Sequence, residues 1–186
     1  AVRHLTRHGT PPATFPLGEF CFQTVMAYRT SNIVTTYDGV ADDAILETIR
    51  ATFPYVGAAR FNSGFQGLIG QIDFYEIMGA WDRSELHRYP FPSYDDMEEY
   101  VLGAMEEQLP VISKKFPHKK FAYIIAECWA GVCSYDGWVV QDEEELYRVE
   151  GFYEKGHIQL LAQLVPGYSS YYFAPFVRDF FDEIEK

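Results

Sequence analysis

The sequence predicts a single-domain α+β protein with a mostly antiparallel sheet covered by helices. A length of 186 residues fits one domain that buries its own core. Segments with helical spacing of apolar residues alternate with runs that favour strands. The aromatic-rich stretch 121–140 turns back on itself at Ala130-Gly131, as a β-hairpin does. We therefore expect an irregular arm at residues 1–19 and one α+β domain over 20–186.

The N-terminal half begins with a segment that does not favour regular structure. Residues 1–19 are rich in Arg, His, Pro and Gly, which predicts the irregular arm. Residues 20–37 hold one or two runs that favour strands, although 20–28 also fits a short helix. Residues 41–53 predict a helix that ends at Pro54. Its apolar face consists of Ile45, Leu46, Ile49 and Phe53.

The middle of the chain predicts a strand, a loop and a helix. Residues 65–78 indicate a strand with glycine-marked bends, and 81–92 indicate a loop. Ser93 and Asp96 have the spacing of a capping box, so a helix is expected from there to about Leu109. Pro110 should kink or end that helix, because proline lacks the amide hydrogen that a helix interior needs.

The C-terminal third predicts the hairpin and two helices. After the hairpin, residues 155–165 indicate a short helix that stops at Pro166-Gly167. A last helix is expected to begin near Pro175, where proline suits the first helical position. Most of the apolar residues in both segments recur at helical spacing, which predicts one buried face for each.

The charge of the chain is strongly acidic, with a formal net value of −12. Phosphate backbones and anionic lipids repel such a chain, so we expect neither a nucleic-acid nor a membrane partner. No apolar run reaches the ~20 residues that span a bilayer. The acids cluster at 93–109 and 142–145. Solvated helix and loop faces explain such clusters, and a surface for a basic protein partner also explains them.

The chain holds three cysteines, Cys21, Cys128 and Cys133. This small odd number favours free thiols in a cytoplasmic protein over a disulfide scaffold. No C-x-x-C spacing occurs, and no histidine is spaced with the cysteines as zinc ligands are, so we expect no metal and no cofactor. As an interpretation of Cys128 and Cys133, small buried hydrophobes are favoured over a redox pair or a nucleophile.

The register of the hairpin depends on the length of its turn. A two-residue turn places Cys128 opposite Cys133, with Cα atoms ~4.5 Å apart, and Trp129 opposite Val132. A three-residue turn with Gly131 in the left-handed conformation shifts the register by one and separates the cysteines. With the two-residue turn, one face has the composition of a core: Ala122, Ile124, Ala126, Cys128, Cys133, Tyr135 and Val139. The other face mixes large aromatics with carboxylates, as binding surfaces do: Tyr123, Ile125, Glu127, Trp129, Ser134, Asp136 and Trp138.

One short motif points to an enzyme. The tripeptide Arg7-His8-Gly9 resembles the signature of the histidine phosphatases, in which the histidine accepts a phosphoryl group and the arginine holds it. No buried apolar strand precedes it, and neither His118 nor His157 has the setting of the second catalytic histidine. A small hydrolase, of this kind or with a cysteine nucleophile, is therefore kept as the alternative to a binding protein.

A group of small bacterial proteins is similar to the C-terminal part of this chain. The resemblance consists of the hairpin, an acidic turn after it, the short helix HIQLLAQLV and the aromatic segment that follows. These proteins occur beside polymorphic toxins, and many are immunity proteins; the resemblance covers about residues 119–181. It implies a non-enzymatic cytoplasmic protein that occludes a toxin in the producing cell, with a basic toxin domain as its partner. We predict contacts by aromatics and acids of the hairpin and of the acidic helix: Tyr123, Glu127, Trp129, Asp136, Trp138, Asp95, Asp96 and Glu99.

Overall fold

The computed structural model describes residues 28–74, 77, 96–129, 131–176 and 180–181. In this part of the chain, six strands form one antiparallel sheet in the order β2-β3-β1-β4-β5-β6, and three helices pack on it. The strands are β1 (Tyr28–Thr36), β2 (Gly57–Asn62), β3 (Gln66–Asp73), β4 (Phe121–Trp129), β5 (Val132–Gln141) and β6 (Glu144–Tyr153). The helices are α1 (Asp42–Thr52), α2 (Met97–Lys115) and α3 (Gly156–Leu164). This arrangement confirms the predicted α+β class; the arm 1–19 and the loop 81–92 lie outside the described residues.

The sheet is covered on both faces. Helices α1 and α2 pack on one face, where Ile49 and Met105 belong to the same core cluster as Ile33 of β1 and Phe121 of β4. Helix α3 and the segment 168–176 pack on the other face. Because successive strand residues point to opposite faces, β4 is apolar at nearly every position from Phe121 to Ala126.

The predicted helices α1 and α3 are confirmed. In α1, the side chains of Ile45, Leu46 and Ile49 are buried, and the helix ends just before Pro54. Helix α3 buries Leu161 and Leu164 and ends just before Pro166. Near Pro175, the structure has a 3₁₀ turn, Ala174–Phe176, and residues 177–179 lie outside the description. No helix in the described ranges is long and apolar enough to cross a membrane.

Helix α2 differs from its prediction at both ends. It continues through Pro110 to Lys115, so the expected end near Leu109 is wrong. The lost hydrogen bond and ring clash cost about 3 kcal/mol, but burying a leucine or isoleucine side chain contributes about 1.5–3 kcal/mol. Leu109 and Ile112 are both buried on the sheet, which explains why the last turn persists. Asp96 occupies the N-cap position without a capping side-chain bond, and not the third helical position that a box starting at Ser93 requires.

The two edge strands, β2 and β6, have no counterpart in the sequence prediction. The acidic run 142–145 was expected on a solvated helix or loop face or as an acidic turn, and it forms a turn and the start of β6. Asp142 and Glu143 have positive φ values of 48° and 68°, and Glu144 begins the strand. An edge strand tolerates carboxylates because its outward positions remain in water. The strand β6 buries Val149 and leaves most of its other side chains exposed.

Candidate binding site at the hairpin tip

The turn between β4 and β5 has the two-residue register. Trp129 lies opposite Val132, and Cys128 lies opposite Cys133. Of the two registers that the sequence left open, the structure therefore has the first. Gly131 has a φ of 81°, which glycine adopts without the steric penalty of a side chain. We call residues 127–129 and 131–134 the hairpin tip.

A disulfide joins the two strands within the hairpin tip. The Sγ atoms of Cys128 and Cys133 are 1.99 Å apart, and their Cα atoms are 4.0 Å apart. The expectation of free thiols is wrong for this pair. The physical reason is the register, because directly opposed residues in a non-hydrogen-bonded pair have the Cβ separation that a disulfide requires. While the bond is intact, neither sulfur is a thiolate nucleophile.

Two predicted contact residues, Tyr123 and Trp138, are buried beneath helix α2. Their exposed fractions are 1% and 4%, and their ring centroids lie 4.4 Å apart. The Ser31 hydroxyl donates a 2.5 Å hydrogen bond to the Tyr123 hydroxyl oxygen, and burial raises the pKa of Tyr123. The expectation that this part of the face is open to a partner is wrong. Both residues support the hairpin from inside the core that α2 covers.

The same face of the hairpin is open at its other end. Trp129 is 70% exposed and Val132 is 63% exposed, as one cross-strand pair at the hairpin tip. Glu127 is exposed on the same face, two residues before Trp129. The predicted surface is therefore divided into a buried half around Tyr123 and an exposed half around Trp129.

Arg29 of β1 links the first turn of α2 to this end of the sheet. Arg29 pairs in register with Glu127, and its Nη1 donates to Glu98 Oε1 at 2.7 Å. Its guanidinium carbon lies 5.4 Å from the ring centroid of Phe152 in β6. These contacts hold the first turn of α2 near the hairpin, and with it the exposed carboxylates Asp96 and Glu99. The ion pair itself is partly exposed and contributes at most about 1 kcal/mol.

Asp136 lies farther along the same face of β5. Its Oδ2 accepts a 3.0 Å hydrogen bond from the backbone amide of Gly151, at an irregular stretch of the β5–β6 pairing. Asp136 therefore orders the neighbouring strand and remains partly exposed. Of the predicted contact residues, the structure brings Glu127 and Trp129 together at the hairpin tip, with Asp136 on the same face and Asp96 and Glu99 on the helix end that Arg29 ties to it. Asp95 lies outside the described residues.

Sequence reasoning missed some members of this surface. Arg29, Glu98 and Phe152 come from three separate elements, and no local pattern marks them as neighbours. Val132 was paired with Trp129 by the two-residue register but was not proposed as a contact. In the described part of this surface, residues 96, 98, 99, 127 and 136 carry carboxylates, and Glu98 forms an ion pair with Arg29. A second cation, Arg148 of β6, lies 4.8 Å from the ring centroid of Trp138, so the described carboxylates outnumber these two cations.

Among the described residues, the remaining chemical candidates do not form a second site. His157 is fully buried, donates from Nε2 to the Tyr171 carbonyl oxygen at 2.9 Å and packs on the Tyr135 ring at 4.1 Å. Burial lowers the pKa of His157 and favours the neutral ring. The described residues contain no group of three or more His, Cys, Asp or Glu side chains that could hold a metal ion. Arg7 and His8 lie outside the described residues.

Comparisons with protein-family models, with curated proteins and with solved structures find no match to this chain.

Proposed function

We propose that this protein is a non-enzymatic inhibitor that occludes a bacterial toxin in the producing cell, with the hairpin tip as its contact surface. The observation that carries the proposal is the exposed pair Trp129 and Val132, held on a cross-linked hairpin next to the exposed carboxylate of Glu127. Exposed aromatic and aliphatic side chains beside polar ones are typical of protein recognition surfaces.

The aromatic part of this surface supplies affinity. Tryptophan is enriched among the residues whose truncation weakens protein complexes by about 2 kcal/mol or more, which is about 30-fold in affinity. Trp129 stands on a strand end that the disulfide and the β4–β5 pairing hold in place, so less conformational entropy is lost when a partner covers it. These features support Trp129 as the central contact.

The acidic part of the surface selects the partner. Glu127 and the first turn of α2 present negative charge, and the whole chain carries a net charge of −12. A positively charged partner associates faster with such a surface, and an acidic one is repelled. This supports a basic toxin domain, the class that the resemblance of residues 119–181 implies.

The test is protection of cells against the toxin encoded next to this chain, together with the dissociation constant of the purified pair. Trp129→Ala should weaken binding at least 30-fold, and Glu127→Lys should slow association. Matched controls are Leu146→Ala, another exposed apolar residue, and Glu107→Lys, an exposed acid about 12 Å along α2 from Glu99. Equal losses in variants and controls would refute the contact surface, and absence of both binding and protection by the wild-type chain would refute the function.

The alternative of a small hydrolase gains no support from the described residues. Its cysteine version requires a free thiol, and Cys128 and Cys133 are bonded to each other. Its histidine version rests on Arg7-His8-Gly9, which lies outside the description.

A further inference from the structure

The disulfide lies close to the turn of the hairpin, where the strand pairing ends. Cys128 is the last residue of β4 that has a described partner in β1, namely Tyr28. Beyond the disulfide, only the pair Trp129 and Val132 continues the β4–β5 ladder before the turn. The order of this outermost pair therefore rests on one rung of pairing and on the covalent bond beside it.

The two sulfur atoms differ in their access to solvent. Cys128 is 3% exposed and packs toward the core, and Cys133 is partly exposed. The Tyr28 hydroxyl oxygen lies 4.0 Å from Cys133 Sγ, in a partly buried contact. An incoming thiolate therefore reaches Cys133 first, and Cys128 is the leaving sulfur.

The rest of the hairpin does not depend on the bond. The β4–β5 ladder continues from the pair Ala126–Tyr135 to the pair Phe121–Val140, and β1 pairs with β4 along most of its length. Both faces of this segment are covered by the core. Loss of the disulfide should therefore loosen the hairpin tip and leave the rest of the sheet folded.

We propose that Cys128–Cys133 is a thiol–disulfide exchange site whose reduction by a cellular dithiol loosens the hairpin tip and leaves the sheet folded. A thiolate of the dithiol attacks Cys133 Sγ, a mixed disulfide forms, and the Cys128–Cys133 bond breaks. Cys128 leaves as a thiolate and takes a proton from water. The second thiol of the dithiol then attacks the dithiol sulfur that is bonded to Cys133. Cys133 is released and takes up the second proton. The dithiol is oxidised to its disulfide, and the protein gains two electrons and two protons.

The length of the loop that the disulfide closes sets how much reduction increases the open population of the hairpin tip. The cysteines are separated by 5 positions. In the chain-entropy model, releasing a loop of about six residues raises the open population by up to about 40-fold. If the proposed function holds, reduction also weakens partner binding, because Trp129 and Val132 must then be ordered upon contact.

The test compares oxidised and dithiothreitol-reduced protein in a Cys21→Ser background, so that two thiols report on this pair alone. Alkylation should detect no free thiol before reduction and two after it, with Cys133 forming the mixed disulfide under limiting reductant. Hydrogen exchange should accelerate up to about 40-fold at the amides of Trp129 and Val132, while strand β1 and the 121–126 segment keep their protection. The double variant Cys128→Ala, Cys133→Ser should behave as the reduced protein does.

Unchanged exchange at the tip, or unfolding of the whole sheet on reduction, would overturn the inference. These readouts need no partner, so they judge the exchange site even if the proposed function fails. With the toxin in hand, equal affinity of oxidised and reduced protein would overturn the link to binding alone. Failure of the oxidised protein to bind would count against the proposed function instead.

Discussion

Replacing Gly137 by alanine should open the hairpin from its buried end. Gly137 lies in β5 opposite Ile124 and has a φ of 153°, a conformation that side-chain-bearing residues rarely adopt. A Cβ atom there would lie 2.0 Å from the carbonyl oxygen of Tyr123 and 3.0 Å from its carbonyl carbon. Both neighbouring atoms are backbone, so no rotamer change can relieve the contact. The strands must separate locally or the peptide must rotate.

Two contributions set the expected decrease in the free energy of unfolding. Holding alanine in a conformation that favours glycine costs on the order of 1–3 kcal/mol. Forcing an extra carbon into a packed interior costs typically about 1–3 kcal/mol more. We therefore expect Gly137→Ala to lower the free energy of unfolding by about 2–6 kcal/mol, since the clash involves the backbone of an interior strand.

The same substitution in α2 is the matched control. Gly103 is exposed in the helix, and a Cβ atom there would meet nothing within 4 Å. Alanine has a helix propensity about 1 kcal/mol better than glycine, so Gly103→Ala should raise the free energy of unfolding by about that amount. Urea denaturation followed by far-ultraviolet circular dichroism measures both values, and similar slopes would validate the comparison.

The reasoning would be refuted by a Gly137→Ala protein within about 1 kcal/mol of the wild type, because the strained conformation alone accounts for at least that much. A loss of stability in Gly103→Ala would contradict the helical position of that residue. Opposite signs for one chemical change at two sites would show that backbone geometry, and not the added methyl group, decides the outcome.

Three further changes test the β5–β6 turn, the pH dependence and the core. Glu143→Gly should stabilise the protein by about 1 kcal/mol, because the left-handed conformation costs a non-glycine residue about 1–2 kcal/mol and the ion pair with Lys114 that is lost is exposed and screened by solvent; Glu144→Gly, in the adjoining strand, should destabilise it in the same denaturation assay. Burial lowers the pKa of His157 below 6.5, so the unfolded chain binds a proton that the folded protein does not. The stabilisation is therefore present above pH 6.5 and is lost as the pH falls, by at most about 1.4 kcal/mol per pH unit, and His157→Phe should remove that part of the slope between pH 7.5 and 5.5. An unchanged slope would show that other groups cause it. Tyr123→Phe leaves the buried Ser31 hydroxyl without its acceptor and should cost about 1–3 kcal/mol of stability with no change in partner affinity; a selective loss of affinity would restore Tyr123 to the contact surface.

The elements that the sequence predicted are those whose pattern is local. Helix α1 presents its buried residues at helical spacing and meets Pro54 at its end, so its fold can be recognised without knowing its neighbours. The hairpin is similar, because two apolar runs flank a glycine. The end of α2 could not be predicted in this way, since Pro110 opposes a helix and only burial of Ile112 against the sheet outweighs it.

The edge strands were not predicted from the sequence because they lack such a local pattern. In β6, only Val149 is buried, and the other residues are charged, aromatic or glycine, apart from the exposed Leu146. Such a strand is held by pairing with β5 more than by its own apolar pattern, so its composition resembles that of a loop.

For the candidate site, the sequence predicted which residues share a face of the hairpin, but it did not predict which of them are exposed. Alternation along β4 correctly places Tyr123, Glu127 and Trp129 on one face. It does not indicate how far a helix covers that face, because this depends on where α2 packs. The result is that Tyr123 belongs to the core and Trp129 to the surface, although the sequence treats them alike.

The coverage of both sheet faces limits where a partner can bind. The faces are occupied by helices and by the segment 168–176, which leaves edges and strand ends. The described edge strand β6 is interrupted by two register shifts and carries several exposed glutamates, features that discourage pairing with another strand. The hairpin tip has the opposite character, since its outermost pair, Trp129 and Val132, is apolar, exposed and held by a covalent bond. This end of the sheet therefore offers a partner both an apolar contact and negative charge.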